Sequence, residues 1–142
     1  MKIISVFLLF LIPVLGWSQS FDSVVNFDLE LSTLSDPLVA GKAAEDGRIV
    51  ILEGLVAGSE KAESEEGEGL IVTLIGGEWI GTSDVRSYSC RVFFNEEHLN
   101  KNFSEDGLIP AGSRLLIAAR VTGFNDESGI PEARMVSYRV LD

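Results

Sequence analysis

Few of the side chains that perform chemistry are present. The 142 residues hold one cysteine, Cys90, and one histidine, His98. A lone thiol excludes an internal disulfide framework, leaving Cys90 either buried in its apolar setting SYSCRVFF or paired with another chain. A single histidine, with no cysteine pattern or fixed carboxylate spacing around it, makes no zinc site, so His98 reads as a surface residue. There is no nucleophile elbow, HExxH, P-loop or dinucleotide fingerprint. No acidic pair sits on structured elements at a defined separation, so no catalytic residue, metal ligand or cofactor is expected. Basic residues are also scarce, 11 against 22 acidic, for a net charge of −11. A field of that sign repels phosphates and anionic lipid and favours basic partners.

Long apolar runs are missing too, with one short exception. In MKIISVFLLFLIPVLGWSQS, Lys2 precedes an apolar stretch from Ile3 to Leu15, followed by Gly16 and Ser18. That stretch is too short to span a membrane, which takes roughly 20 residues, and its layout is that of an export signal. Residues 1–18 are therefore expected to be removed, leaving Gln19 first, with cleavage after Ser20 the next candidate. The expected product is secreted or periplasmic and has no membrane anchor; Cys90 lies too far from the cleavage site to carry a lipid.

What remains suits one domain, divided into an N-terminal extension, 19–47, and a strand-rich domain, 48–142. In the extension, Val25, Phe27, Leu29 and Leu31 alternate with polar residues and predict a strand, against a competing helical stripe of Val24, Phe27, Leu31 and Leu34. SDPLVAGKAAEDG predicts a short helix with Ser35 as N-cap and Gly47 as stop. From Arg48 the texture changes to five apolar runs: RIVILEGLVAG, GLIVTLIGG, VRSYSCRVFF, GSRLLIAARVTGF and ARMVSYRVLD. Between the third and fourth, NEEHLNKNF (95–103) has the end charges of a short helix. Asn102-Phe103-Ser104 is a glycosylation sequon, relevant only in a eukaryotic secretory pathway.

Three strands, a helix and two strands is the order of an OB-fold, and the expected class is mostly β. It is a five-stranded OB-like Greek-key barrel with one short helix between strands three and four, plus an N-terminal strand and helical turn. "LEGLV" in strand one, "SCRVFF" in strand three and "LIPAGSRLLIAARVTGF" leading into strand four resemble the pattern of OB domains of the tRNA-anticodon-binding-like type. The resemblance covers residues 48–141, and exported bacterial OB domains are similar in layout. It implies binding rather than catalysis.

Alternation assigns faces. Tyr88, Cys90, Val92 and Phe94 are expected inside, leaving Ser87, Ser89, Arg91 and Phe93 outside. Leu115, Ile117, Ala119 and Val121 point in, with Arg114 and Arg120 out; Val136, Tyr138 and Val140 point in, with Ser137 and Arg139 out. Pairing of strands three and five would make Arg91 and Arg139 neighbours, able to grip a carboxylate or phosphate or to pair with the protein's own acids. Trp79, in GGEWIGTSD, is either a barrel lid or an exposed anchor. The candidate surface is thus Trp79, Ser87, Ser89, Arg91, Phe93, Arg120 and Arg139.

SEKAESEEGEG, between strands one and two, reads as a mobile, solvated loop with five carboxylates. Nucleic-acid-binding OB domains place basic and aromatic groups at that mouth. The expectation is therefore a non-enzymatic acidic binding module for a protein or small ligand, with nucleic acid an unlikely partner. Two alternatives stand beside it: binding of single-stranded nucleic acid or another anionic polymer through the arginines, and inhibition of a basic secreted hydrolase.

Overall fold

The computed structural model describes residues 23–95, 97 and 108–142. The five apolar runs form β2 (Ile49–Ser64), β3 (Gly67–Ile80), β4 (Asp84–Asn95), β5 (Arg114–Asn125) and β6 (Ile130–Leu141). Ahead of them lie β1 (Val25–Asn26), α1 (Leu31–Leu34) and α2 (Pro37–Asp46). The strands neighbour one another in the order β2-β3-β4-β6-β5, and β5 returns to β2. That closes the sheet into a five-stranded barrel with one extra strand, the expected OB-fold. All pairings within the barrel are antiparallel except β4 with β6.

β2 serves two neighbours in succession. Ile49–Leu55 pairs with β5, and Leu55–Ser64 pairs with β3. The change of partner falls beside Gly54. The parallel seam between β4 and β6 is short, with Arg91, Val92 and Phe93 opposite Glu132, Ala133 and Arg134.

Period-two alternation fills the interior as expected for two strands. Cys90, Val92 and Phe94 are buried, as are Leu115, Ile117, Ala119 and Val121. Tyr88 is half-buried against this core. The Phe94 ring lies 5.2 Å from that of Tyr138, tilted by 48°; full burial of such a side chain contributes about 1.5–3 kcal/mol. Burial also pushes the Cys90 thiol up to about 12, with the charge of Glu132 adding to the effect. Cys90 is thus a buried free thiol.

Three one-residue irregularities interrupt the alternation. Register shifts leave Ala57 of β2, Thr122 of β5 and Val136 of β6 without a direct partner. Such bulges reverse which face the following residues take. In β6, Ala133 and Met135 point in before the shift and Tyr138 after it. Val136 is 39% exposed and Val140, near the strand end, 46%. The expectation that Val136 faces inward is corrected, because the alternation does not run unbroken through β6; Val140 keeps the inner face opposite the buried Leu115 and is exposed where the strand ends.

The N-terminal strand expected over residues 25–32 is corrected in the same way. Only Val25–Asn26 is extended, paired in parallel with Ile49 and Val50. Phe27 is 57% exposed, whereas Leu31 and Leu34 are buried. Residues three apart share a face only in a helix, so the helical stripe wins over its second half. Thr33 secures the turn: its hydroxyl accepts the Glu30 N–H at 2.8 Å and donates to the Glu30 carbonyl at 2.9 Å. Ser35 then ends α1, and Asp36, not Ser35, caps α2 by accepting the Leu38 N–H at 2.8 Å. Pro37 occupies the first turn, and Gly47, with φ of 69°, ends the helix as expected. Leu31, Leu34, Ala40 and Ala43 join the barrel's own core.

The acidic segment is not a loose loop. Residues 59–64 continue β2 and 67–69 begin β3, so only Glu65 and Glu66 form the turn of a long hairpin. Ser59 anchors it. Its hydroxyl donates to the Ile109 carbonyl at 3.0 Å and accepts the Ile109 N–H at 3.1 Å, holding the buried Ile109 to β2. The expected helix at 95–103 falls almost wholly outside the described residues; Asn95 itself ends β4. His98, the sequon and residues 1–18 lie outside them as well. Among the described residues, no helix is long and apolar enough to cross a membrane.

Candidate functional site

The outer face of the barrel across β3, β4 and β6 gathers an aromatic ring, an aliphatic side chain and two guanidiniums. Ile71 is paired with Phe93, and Thr73 with Arg91, so all four share that face. Across the parallel seam, Arg91 sits opposite Glu132 and Phe93 opposite Arg134. Together Ile71, Arg91, Phe93 and Arg134 line a shallow groove of about 210 Å³, with two carboxylates, Glu63 of the acidic hairpin and Glu132, on its walls beside the two arginines. Phe93 reaches this position because Gly69 leaves room for it. A Cβ at Gly69 would stand 2.7 Å from Phe93 Cζ and 2.2 Å from the Phe94 carbonyl oxygen.

The bulge at Ala57 decides the electrostatics. Before it, even-numbered Val50, Leu52 and Val56 point inward; after it, Ser59 pairs with the buried Val72, and Glu60 turns outward opposite Ile71. From there Glu60 accepts from Arg91 Nη2 at 3.0 Å, while Glu132 lies 3.8 Å from Arg91 Nη1. At the hairpin tip, Glu66 accepts from Arg134 Nη1 at 2.7 Å. These side chains keep between 29% and 67% of their surface. Ion pairs so exposed are each worth no more than about 1 kcal/mol, so a stronger anion can displace the carboxylates.

The sequence candidates do not all meet here. Arg91 and Phe93 lie in the groove, and Ser89 and Ser87 follow along the same row of β4, opposite Ile75 and Gly77. Trp79 stands apart near the β3–β4 turn, paired with Val85 and 74% exposed, which makes it an exposed residue and not a lid. Eight residues of strand separate it from Ile71, roughly 27 Å. Below it, the Tyr88 hydroxyl donates to Glu78 at 2.5 Å, and that bond raises the phenol's pKa, with burial adding to it.

Arg91 and Arg139 are not neighbours, contrary to expectation. Strands β4 and β6 do pair, but in a register that puts Arg91 beside Glu132; Arg139 lies seven residues further on, roughly 23 Å away, opposite Leu116 of β5. Arg120 is brought in differently, directly opposite Arg134. Arg134 itself was missed because counting back by twos from an outward Arg139 places it inside the barrel. An arginine at an inward count was the available sign of the bulge at Val136. Among the described residues, no cluster of histidine, cysteine and carboxylates fit to hold a metal is present.

No family model matches this sequence, and no curated protein matches it. Similar solved structures include the small single-stranded DNA-binding protein from Streptomyces coelicolor, at 15% identity and a TM-score of 0.49, over 66% of this chain and 91% of that one. A deletion mutant of the single-stranded DNA-binding protein from Thermus aquaticus is similar at 15% identity and a TM-score of 0.46, over 66% of this chain. This chain covers 50% of that protein's length. A putative aspartyl-tRNA synthetase from Leishmania major Friedlin is similar at 14% identity and a TM-score of 0.45, over 88% of this chain and 22% of its own. The fold is read from the barrel's own strand order and closure.

The expectation that nucleic acid is an unlikely partner is corrected at its premise, because the acid cluster behind it is no free mouth: Glu60 and Glu66, two of its five glutamates, are engaged by Arg91 and Arg134 on a structured hairpin.

Proposed function

We propose that this chain binds single-stranded nucleic acid, without catalysis, across the outer face of β3, β4 and β6. The groove supports the reading: Phe93 and Ile71 form an apolar platform with a guanidinium on either side, Arg91 and Arg134. Bases stack on aromatic faces whatever their sequence, at about 1–3 kcal/mol per base, while arginines track the phosphates. Each phosphate contact displaces a weak internal carboxylate, so binding is an exchange of anions and its affinity is modest. Residues 1–18 would direct the chain out of the cytoplasm, placing this binding in the periplasm or outside the cell.

Fluorescence anisotropy of a labelled oligothymidylate tests the proposal. Two phosphate contacts give a slope of log K against log[salt] of about −1.4, and Arg91→Gln or Arg134→Gln each flattens it by about 0.7. Phe93→Ala weakens binding by about 1–3 kcal/mol at any salt concentration. Absence of binding at low ionic strength, or an unchanged slope in the double arginine variant, disposes of the reading.

A further inference from the structure

Arg120 and Arg134 face each other directly across β5 and β6. Like charges in that position are destabilising, since cross-strand partners lie only about 5 Å apart. A chain with twice as many acids as bases could have neutralised both. Yet Glu66 engages Arg134 alone, and the exposed Arg120 forms no ion pair with a described residue. The pair borders a cleft of about 540 Å³, more than twice the volume of the adjoining groove. Asn95, Thr122 and Glu66 line it as well. The Asn95 side-chain oxygen already accepts the Glu97 N–H at 3.2 Å, which leaves its NH₂ as the available end. Thr122 is the bulge residue of β5, and its hydroxyl adds another donor.

We infer that this cleft is a site for a phosphate dianion, free or as a monoester, held between the forks of Arg120 and Arg134 with Asn95 and Thr122 as secondary donors. The charged groups on its walls are two arginines and one glutamate, a local excess of positive charge in a chain of net −11. A carboxylate would satisfy one guanidinium and leave the other facing it. A dianion with three terminal oxygens can accept from both. The C-terminal end of α2, represented by Ala44 and Gly47, also lines the cleft; its carbonyl dipoles disfavour an anion beside them, so the arginines must supply the attraction. The cleft's volume falls in the range of small-molecule sites, enough for a nucleotide as well as free phosphate. The inference concerns a site beside the groove and does not require that a strand bind in it.

Calorimetric titration of the protein with inorganic phosphate and, separately, with thymidine monophosphate tests this. Both should bind. Arg120→Gln should weaken them at least tenfold, and Arg120→Lys should weaken them as well, because an ammonium keeps the charge and loses the fork. Arg139→Gln, which removes another exposed arginine, further along β6 from Arg134, should leave binding unchanged. Tighter binding of the nucleotide supports an ester as the natural ligand; equal binding supports free phosphate. Failure of both probes to bind the unaltered protein overturns the inference, as does equal weakening by Arg139→Gln. An oligothymidylate lacking terminal phosphates separates the two readings. If it binds through Phe93 while phosphate and nucleotide do not, the cleft site falls and the groove reading stands; if phosphate binds and that strand does not, the reverse holds.

Discussion

Replacing Gly54 with alanine should destabilise the barrel far more than replacing Gly58, although both lie on β2 four residues apart. At Gly54, where β2 passes from β5 to β3, a Cβ would stand 2.6 Å from the Ile75 carbonyl oxygen and 2.8 Å from Leu74 Cγ. Neither can retreat, since the carbonyl belongs to the adjoining strand and Leu74 is fully buried. At Gly58, beside the bulge, nothing lies within 4 Å. Alanine in place of glycine gains about 0.4–1 kcal/mol by restricting the unfolded chain, and overpacking of this severity costs about 3 kcal/mol. Gly54→Ala should thus lose about 2 kcal/mol net, lowering Tm by about 8 °C for a chain of this size. Gly58→Ala should lose nothing and gain up to about 1 kcal/mol over the unaltered protein. Urea unfolding followed by circular dichroism reads both, with an unchanged m-value confirming that only stability moved. If Gly54→Ala stays within about 0.5 kcal/mol of the parent, or Gly58→Ala falls further, close approach at the strand hand-over is not what closes this barrel.

Cys90 gives a pH prediction. Below about pH 9 the thiol is protonated in both states; from there to about pH 12 the unfolded chain loses a proton that the folded one retains. Stability should therefore fall with rising pH by about 1.4 kcal/mol per unit, at most about 4 kcal/mol in all. Cys90→Ala, though less stable at neutral pH, should show a flatter alkaline limb in urea titrations; parallel limbs would refute the assignment. The proposed export supplies another prediction: intact mass of the protein recovered outside the cytoplasm should match a chain beginning at Gln19, whereas a full-length mass would remove the signal reading.

Period two was enough to place Cys90, Val92 and Phe94 and the whole inward row of β5, because nothing interrupts those strands before their inner residues end. It failed wherever one extra residue entered. Gly58 and Gly123 directly follow the bulges at Ala57 and Thr122 and were the available signs of them, whereas Val136 has no glycine or proline beside it; the outward turn of Glu60 and the position of Arg134 followed from bulges that alternation alone does not show. At the N-terminus, Phe27 and Leu31 fit both periods, and only the contact of Leu31 and Leu34 with the barrel decides for the helix. Register was equally invisible. That β4 and β6 pair follows from the fold, but that Arg91 meets Glu132 instead of Arg139 depends on where the chain crosses, which side-chain type does not encode.

The shortest ladder in the barrel runs beneath the groove: three residues of β4 against three of β6, compared with twelve along β3 and β4. Anything gripping Arg91 and Arg134 at once would act as a clasp over that gap. Occupancy would then register as tighter closure of the cylinder itself, with slower amide exchange along both flanking strands, and recognition would be inseparable from mechanical reinforcement.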